Sequence, residues 1–367
     1  MSQKNFTSIK EGENVLIRSS LNVPISDGKI QSTFRLEQSA RTIKILSSMG
    51  AKTIVISHLG REGKSLENVA EKLSVKNTFV PDILGDVAQS AIHNMKNGDV
   101  VVLENLRQNI KETCCDKEFA KELSKYASHY VFDDFSVAHR NHSSVVLLPQ
   151  LLESYRGIRF KEEISVLSKT INPSPSSLLV LGGAKTETKI PILEKFLSRY
   201  KKVFVGGVLL NALLKRAHFS VGLSKVGDKL PDKNIFGNPK IISPVDLVVY
   251  SEKNGDRVCS INDVQENEVI VDVGPSSVKN LIDEAKKSDT IVWNGPLGWY
   301  EKGFLQQTKE FAEALLSVKS EIVIGGGDTV ALISENNVAD NVFLSTGGGA
   351  MLYYLLHETL PVVAALK

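Results

Sequence analysis

The sequence is poor in the features that mark secreted, fibrous or membrane-spanning chains. It has three cysteines in 367 residues. Cys114, Cys115 and Cys259 form an odd set with two adjacent thiols, which makes no disulfide framework and no zinc-ligand spacing. No run approaches the roughly 18–20 apolar residues of a membrane span. The opening MSQKNFTSIKEGENV also lacks the apolar core of a signal peptide. Excess charge is missing too: 44 Lys+Arg against 42 Asp+Glu leave +2. Bulk charge therefore asks for neither nucleic acid nor an anionic membrane. These absences point to the cytoplasm, and any anion specificity must come from local clusters.

What is present is ordinary globular composition, 42% hydrophobic and 23% charged, at a length that suits two domains better than one core. Short β-branched runs alternate with amphipathic stretches. NVLIRS (14–19), TIVIS (53–57), DVVVL (99–103) and YVFDD (130–134) read as strands, with helices over 35–50 and from about Ser65. The alternation resumes at 177–183, 202–207, 246–251, 269–274, 290–295, 321–327 and 341–349. Continuous apolar strands with intervening helices predict mostly parallel sheets covered on both faces, a Rossmann-like α/β architecture. Between the two series lie a helical stretch, 159–171, and the punctuating NPSPSS (172–177). We place the domain boundary there: residues 1–158, a connecting helix over 159–172, and residues 173–354.

The halves differ in what they put at strand ends. Of 26 glycines, 8 precede residue 180 and 18 follow it, most of the latter where an apolar strand stops. Ligands of open α/β sheets bind at those carboxyl ends, and glycine lets backbone N–H groups approach them. The second half therefore reads as a phosphate-binding surface of backbone amides. The first half sets Arg18, His58, Arg61, Arg107, His139, Arg140 and His142 after its strands, and Arg35 opens its first helix. Guanidinium groups bind carboxylates and phosphates bidentately, so a small anionic ligand is expected there.

No G-x-x-x-x-G-K-[ST], no G-x-G-x-x-G after the first strand, no G-x-S-x-G and no H-E-x-x-H occurs, which argues against several common enzyme classes. The loops that do occur are SHLGRE (57–62), ENLR (104–107), DDFSVAHRNHSS (133–144), LGGAKTETKI (181–190), VWNGPLGWYE (292–301), GGGDT (325–329) and STGGGA (345–350). In kind and order this set resembles the signature loops of the phosphoglycerate kinase family, and RSSLNVP (18–24) is similar to its first loop.

The resemblance implies reversible phosphoryl transfer between 1,3-bisphosphoglycerate and ADP with Mg2+, by a monomer of two hinge-linked domains. Residues from about Leu355 would pack back on the first domain. By motif match the phosphoglycerate site comprises Ser20, Asn22, Arg35, His58, Arg61, Arg107 and Arg140. The nucleotide site comprises Gly183, Lys185, Lys189, Gly207, Asn294, Glu301, Gly326, Gly327, Asp328, Thr329 and Gly348, with Asp328 on the magnesium. Arg35 and Lys185 are the catalytic choices, since phosphoryl transfer is mainly alignment and charge stabilisation. Lys185 and Lys189, four apart, would also suit a solvated helix face, and the GGAK context favours the nucleotide role. Alternatives are a nucleotide-binding pseudoenzyme and a kinase for another small carboxylate.

Three departures from the family's patterns stand out. R-V-D-F-N-V-P appears as Arg18–Pro24 with Ser20 at the aspartate that accepts from the glycerate hydroxyl. D-A-F-G-T-A-H-R appears as Asp133-Asp134-Phe135-Ser136-Val137-Ala138-His139-Arg140. G-G-G-M appears as Gly206-Gly207-Val208-Leu209, where Val208 cannot easily take positive φ; a reshaped adenine end and altered preference among ADP, GDP and IDP follow. Loss of charge assistance at Ser20 is expected to cost roughly 1 kcal/mol and to raise the KM for phosphoglycerate. Kinetics of Ser20→Asp check this, and unchanged or weaker binding in the variant counts against it.

Overall fold

The computed structural model describes residues 5–61, 63–334 and 338–366. Its contacts group the chain into two units, Met1–Ser165 with Thr359–Lys367, and Val166–Glu358. In the first unit the described strands are β1 (Asn14–Ser19), a small hairpin of β2 (Ile25–Ser26) and β3 (Lys29–Ile30), β4 (Lys52–Ile56), β5 (Thr78–Val80), β6 (Val100–Leu103), β7 (His129–Asp133) and β8 (Glu153–Arg156). Six of them form one sheet in the order β5-β6-β4-β1-β7-β8, and every pairing in it is parallel. The central strand β1 has β4 on one side and β7 on the other. Both of its faces are covered, so Val15, Leu16 and Ile17 have no exposed surface and the sequence there is apolar without alternation.

The second unit has β9 (Ser177–Leu181), β10 (Lys202–Val205), β11 (Asp246–Ser251), β12 (Gly255–Ser260), β13 (Val269–Val273), β14 (Thr290–Asn294), β15 (Glu321–Gly325) and β16 (Val342–Leu344). A five-stranded parallel sheet runs β10-β9-β14-β15-β16, and a separate three-stranded sheet runs β12-β11-β13. The second sheet is antiparallel, which corrects the expectation that 246–251 and 269–274 continue the parallel series. The reason lies in β12. It is mostly exposed and polar, with Cys259 its one buried residue, so it carries no apolar run to reveal it. Tyr250 in β11 faces outward, as half-covered antiparallel sheets allow.

A helix over Ile158–Ile171 spans the point where the two units divide. The expected return of the chain from about Leu355 falls later, because the helix Gly348–His357 belongs to the second unit and the change comes at Thr359. The last helix, Pro361–Ala365, packs on Leu148–Leu151, and Val362 N donates to Ala138 O at 3.4 Å. No described helix is long and apolar enough to cross a membrane.

The start of the Ile158–Ile171 helix rests on one buried acid. Asp133, at the end of β7, accepts from Phe160 N at 2.9 Å and from Thr42 Oγ1 at 2.5 Å. Burial pushes its carboxyl up to about 7, so between about pH 4 and 7 the folded chain holds a proton there that the unfolded chain has released. This contribution to stability is complete below pH 4 and is lost as pH rises to 7. Asp133→Asn is expected to flatten that loss, measured as urea midpoints at pH 5 and pH 8. An unchanged difference between the two pH values would count against it.

Candidate functional site

The carboxyl ends of the parallel strands carry two clusters, one in each unit. In the first, Asn22 Oδ1 accepts from Gly60 N at 2.9 Å, and Arg107 Nη1 donates to Gly60 O at 2.5 Å. Arg35 Nη1 donates to Asn22 O at 2.5 Å. Three segments distant in sequence thus meet at one backbone corner. Among the described residues Arg35 and Arg107 spend these bonds on carbonyls and none on a carboxylate, so the rest of each guanidinium fork is left for a ligand.

The cluster is electrostatically crowded. Burial depresses Arg35, and burial with the cations of Arg18 and Arg140 depresses Arg107. His58, 2% exposed, is held well below the usual imidazole range by burial and by Arg18, Arg107 and Arg35. An anion relieves all of these costs together. Arg140 is exposed within reach of Arg107's field. Arg61 sits exposed beside Gly60, and no contact among the described residues ties it to the others; Glu62 of the same loop lies outside the described residues. Ser20 is buried, its backbone bonded to Ser39, with an unpartnered Oγ.

In the second unit the sheet order explains the glycine pattern. Gly206–Gly207, Gly182–Gly183, Gly295, Gly325–Gly327 and Gly347–Gly349 follow strands that lie in the order β10-β9-β14-β15-β16, so the five loops are neighbours. A Cβ on Gly348 would stand 2.7 Å from Gly326 Cα, and one on Gly207 would stand 2.6 Å from Gly183 N. Gly207 also has φ +60, which a β-carbon disfavours. Helices begin at Gly207, Gly327 and Gly348, and their N-termini offer free N–H groups and partial positive charge. Val208 lies inside the Gly207–Arg216 helix, and the positive φ falls on Gly207. The expected strain at Val208 is therefore corrected: the conformation is taken by its glycine neighbour.

Lys185 is exposed just before the helix Thr186–Phe196, whereas Lys189 is buried within it, so the pair is not a solvated helix face. Lys189 Nζ donates to Gly182 O and lies 3.4 Å from Asn294 O. Burial, then Lys185, bring it down to about 8. Asp328 is exposed at the start of Gly327–Ser334. Burial and Glu301 raise its carboxyl while Lys189 and Lys185 oppose this. These four groups therefore share one field. Thr329 Oγ1 is buried without a partner, and Asn294 is buried with Nδ2 3.7 Å from Met351 Sδ. Trp293 is fully buried against Phe311.

A cavity of about 380 Å³ adjoins these loops, lined by Gly183, Gly207, Val208, Leu223, Trp299, Glu301 and Asp328 among others. Leu223 and Trp299 are exposed apolar side chains, and no motif marked Leu223. Sequence reasoning also missed a buried Arg18–Asp134 ion pair at 2.8 Å beneath the first cluster. Among the described residues no three metal-ligating side chains converge.

A family model described as Phosphoglycerate kinase matches residues 7–358. The chain belongs to the phosphoglycerate kinase family. A phosphoglycerate kinase of Dictyoglomus turgidum is 34% identical with all of both chains covered. One of Orientia tsutsugamushi is 36% identical over 96% of this chain and 94% of its own. The solved phosphoglycerate kinase of Pyrococcus horikoshii has a TM-score of 0.87 at 28% identity, covering 98% of each chain. That of Coxiella burnetii has 0.79 at 32%, covering 99% and 98%. The α/β fold is the family's, and the chain is an enzyme of the kinase class with a nucleotide as substrate.

The buried lysine gives a pH dependence. Its cation is present below about pH 8 and lost above it, so the affinity for MgADP is expected to fall as pH rises from 7 to 9. In Lys189→Met the affinity is lower throughout and this slope disappears. Calorimetric titration at the two pH values checks both, and an equal slope in the variant would refute the assignment.

Proposed function

We propose that the chain transfers the acyl phosphate of 1,3-bisphosphoglycerate to MgADP, giving 3-phosphoglycerate and ATP, reversibly. The observation that carries this reading is the cationic cluster around Gly60, whose Arg35 and Arg107 bond, among the described residues, to backbone carbonyls alone. A ligand with a phosphate at one end and a carboxylate or acyl phosphate at the other matches it. Arg35, Arg107, Arg140, Arg61 and Asn22 hold that ligand, and His58 donates a hydrogen bond to it. The first unit is thus the phosphoglycerate domain and the second the nucleotide domain.

In the second unit the base enters the apolar cavity beside Trp299 and Leu223, and Glu301 accepts from ribose hydroxyls. The phosphates lie along the glycine loops, on the N–H groups of Gly327 and Gly348. Lys189 sits beneath the α-phosphate side. The magnesium of the substrate is held at Asp328; one exposed carboxylate among phosphates and waters suits the ion's preference.

An oxygen of the ADP β-phosphate attacks the acyl phosphorus, that new P–O bond forms, and the bond to the acyl oxygen breaks. The electron pair leaves as the carboxylate of 3-phosphoglycerate, so no protein nucleophile is needed. Arg35 and Lys185 clamp the migrating group and stabilise its charge. Because the ligands are assigned to separate units, transfer takes place only when the two reacting groups are in contact and water is excluded. We take the enzyme to be a cytoplasmic monomer.

ATP formation from 1,3-bisphosphoglycerate, measured beside binding of MgADP alone, tests the reading. Lys185→Ala is expected to lower kcat by about 10²–10³ while MgADP still binds. Nucleotide binding without any turnover by the unmodified chain would instead mark a pseudoenzyme.

A further inference from the structure

Beneath the cationic cluster lies a buried network of which the reaction above uses His58 alone. Arg18 is 1% exposed and Asp134 is 0% exposed. Arg18 Nη1 donates to Asp134 Oδ2 at 2.8 Å, Nε donates to Ser144 Oγ at 3.1 Å, and Nη2 meets His58 Nδ1 at 2.9 Å. Ser144 Oγ donates in turn to Glu112 Oε1 at 2.6 Å, and Ser136 Oγ donates to Asp134 Oδ1 at 2.6 Å.

The contact at 2.9 Å decides the state of His58. A guanidinium offers N–H donors and no acceptor, so Nδ1 must present its lone pair to Arg18, and the proton of the neutral ring lies on Nε2. Nε2 has no hydrogen-bond partner among the described residues. The charged and titratable groups around the ring are Arg18 from β1, Arg35 from the first long helix, Arg107 from the loop after β6, and His142 and Asp134 from the loop after β7. The cations all oppose a proton on Nδ1. The carboxylate, 3.7 Å from Nδ1, is already bonded to Arg18.

Two of the departures noted in the sequence meet at this point. Ser19 registers with Asp133 across the parallel β1–β7 pair, and the next residues on the two strands are Ser20 and Asp134. The family patterns carry aspartate and alanine there; this chain carries serine and aspartate. Relative to those patterns, the carboxylate stands just after β7 and not just after β1.

We propose that Asp134 is a positioning residue: it stands in for the carboxylate missing at Ser20 and, through Arg18, holds His58 as an Nε2–H donor to the glycerate ligand. This rests on the assignment of the cluster to phosphoglycerate. It reverses the expectation for Ser20→Asp, which now sets a second carboxylate beside the first.

Nitrogen NMR of the wild-type histidine rings reads the tautomer directly. His58 is expected as Nε2–H at neutral pH, its charging held well below the ordinary imidazole range. A ring protonated on Nδ1, or one that titrates in this range, overturns the proposal. Kinetics supply the second readout. Ser20→Asp and Asp134→Ala are each expected to raise the KM for 3-phosphoglycerate about tenfold with the KM for ATP unchanged. The double variant returns to within about threefold of wild type, as neighbouring, coupled sites do. Additive losses in the double variant, or equal shifts in both KM values, overturn it. Should Asp134→Ala alone not fold, a KM that Ser20→Asp leaves unchanged or lowers has the same force. A wild-type chain that binds no 3-phosphoglycerate, with the tautomer as expected, overturns the assignment of the cluster instead.

Discussion

The guanidinium of Arg18 is buried, 1% exposed, at the carboxyl end of the central strand of the first unit. Such a charge is tolerated only when its N–H groups find partners. Here Asp134, Ser144, His58 and the carbonyl of Ser19 take four of its five N–H groups. Those partners come from the ends of β1, β4 and β7, so satisfying one buried cation fixes three loops against one another. The exposed arginines are then added to a frame that is already rigid. The cluster gathers positive charge without collapsing onto its own carboxylates, because the nearby acids are consumed below the surface.

The second unit meets the same need, holding an anion, by the opposite route. It sets two cations, Lys185 and Lys189, against two carboxylates, Glu301 and Asp328, and relies on backbone for much of the rest. Five neighbouring loops approach so closely that a single methyl at Gly207 or Gly348 would overlap another main chain. The one cation placed in the interior, Lys189, is bonded to carbonyls from two of those loops. It joins the loops structurally as well as offering charge.

Most of this was legible in the sequence. Uniform apolar runs mark strands covered on both faces, and runs of glycine after them mark the loops. The parallel sheets and the loops therefore follow from composition along the chain. What escaped did so for identifiable reasons. β12 buries a single side chain, and its only written signal is the Asn254-Gly255 dipeptide that turns a hairpin. β8 is an edge strand with little apolar content. The Arg18–Asp134 pair joins residues 116 apart, and neither the charge of one nor the other announces its partner. Val208 shows the converse error: a positive φ was assigned to the wrong member of a short motif, since spacing alone does not say which residue bends.

The route of the chain has a consequence for its synthesis. The second unit is an insertion: the segment that completes the first unit, with Leu360 and Val362 fully buried, is made only after the whole of the second. Between Ser165 and Thr359 the ribosome adds roughly 190 residues, which at ~5–20 residues per second occupies about 10–40 s. Throughout that interval the nascent first unit exposes the apolar seat of its final helix. The second unit can close on its own before the first is finished.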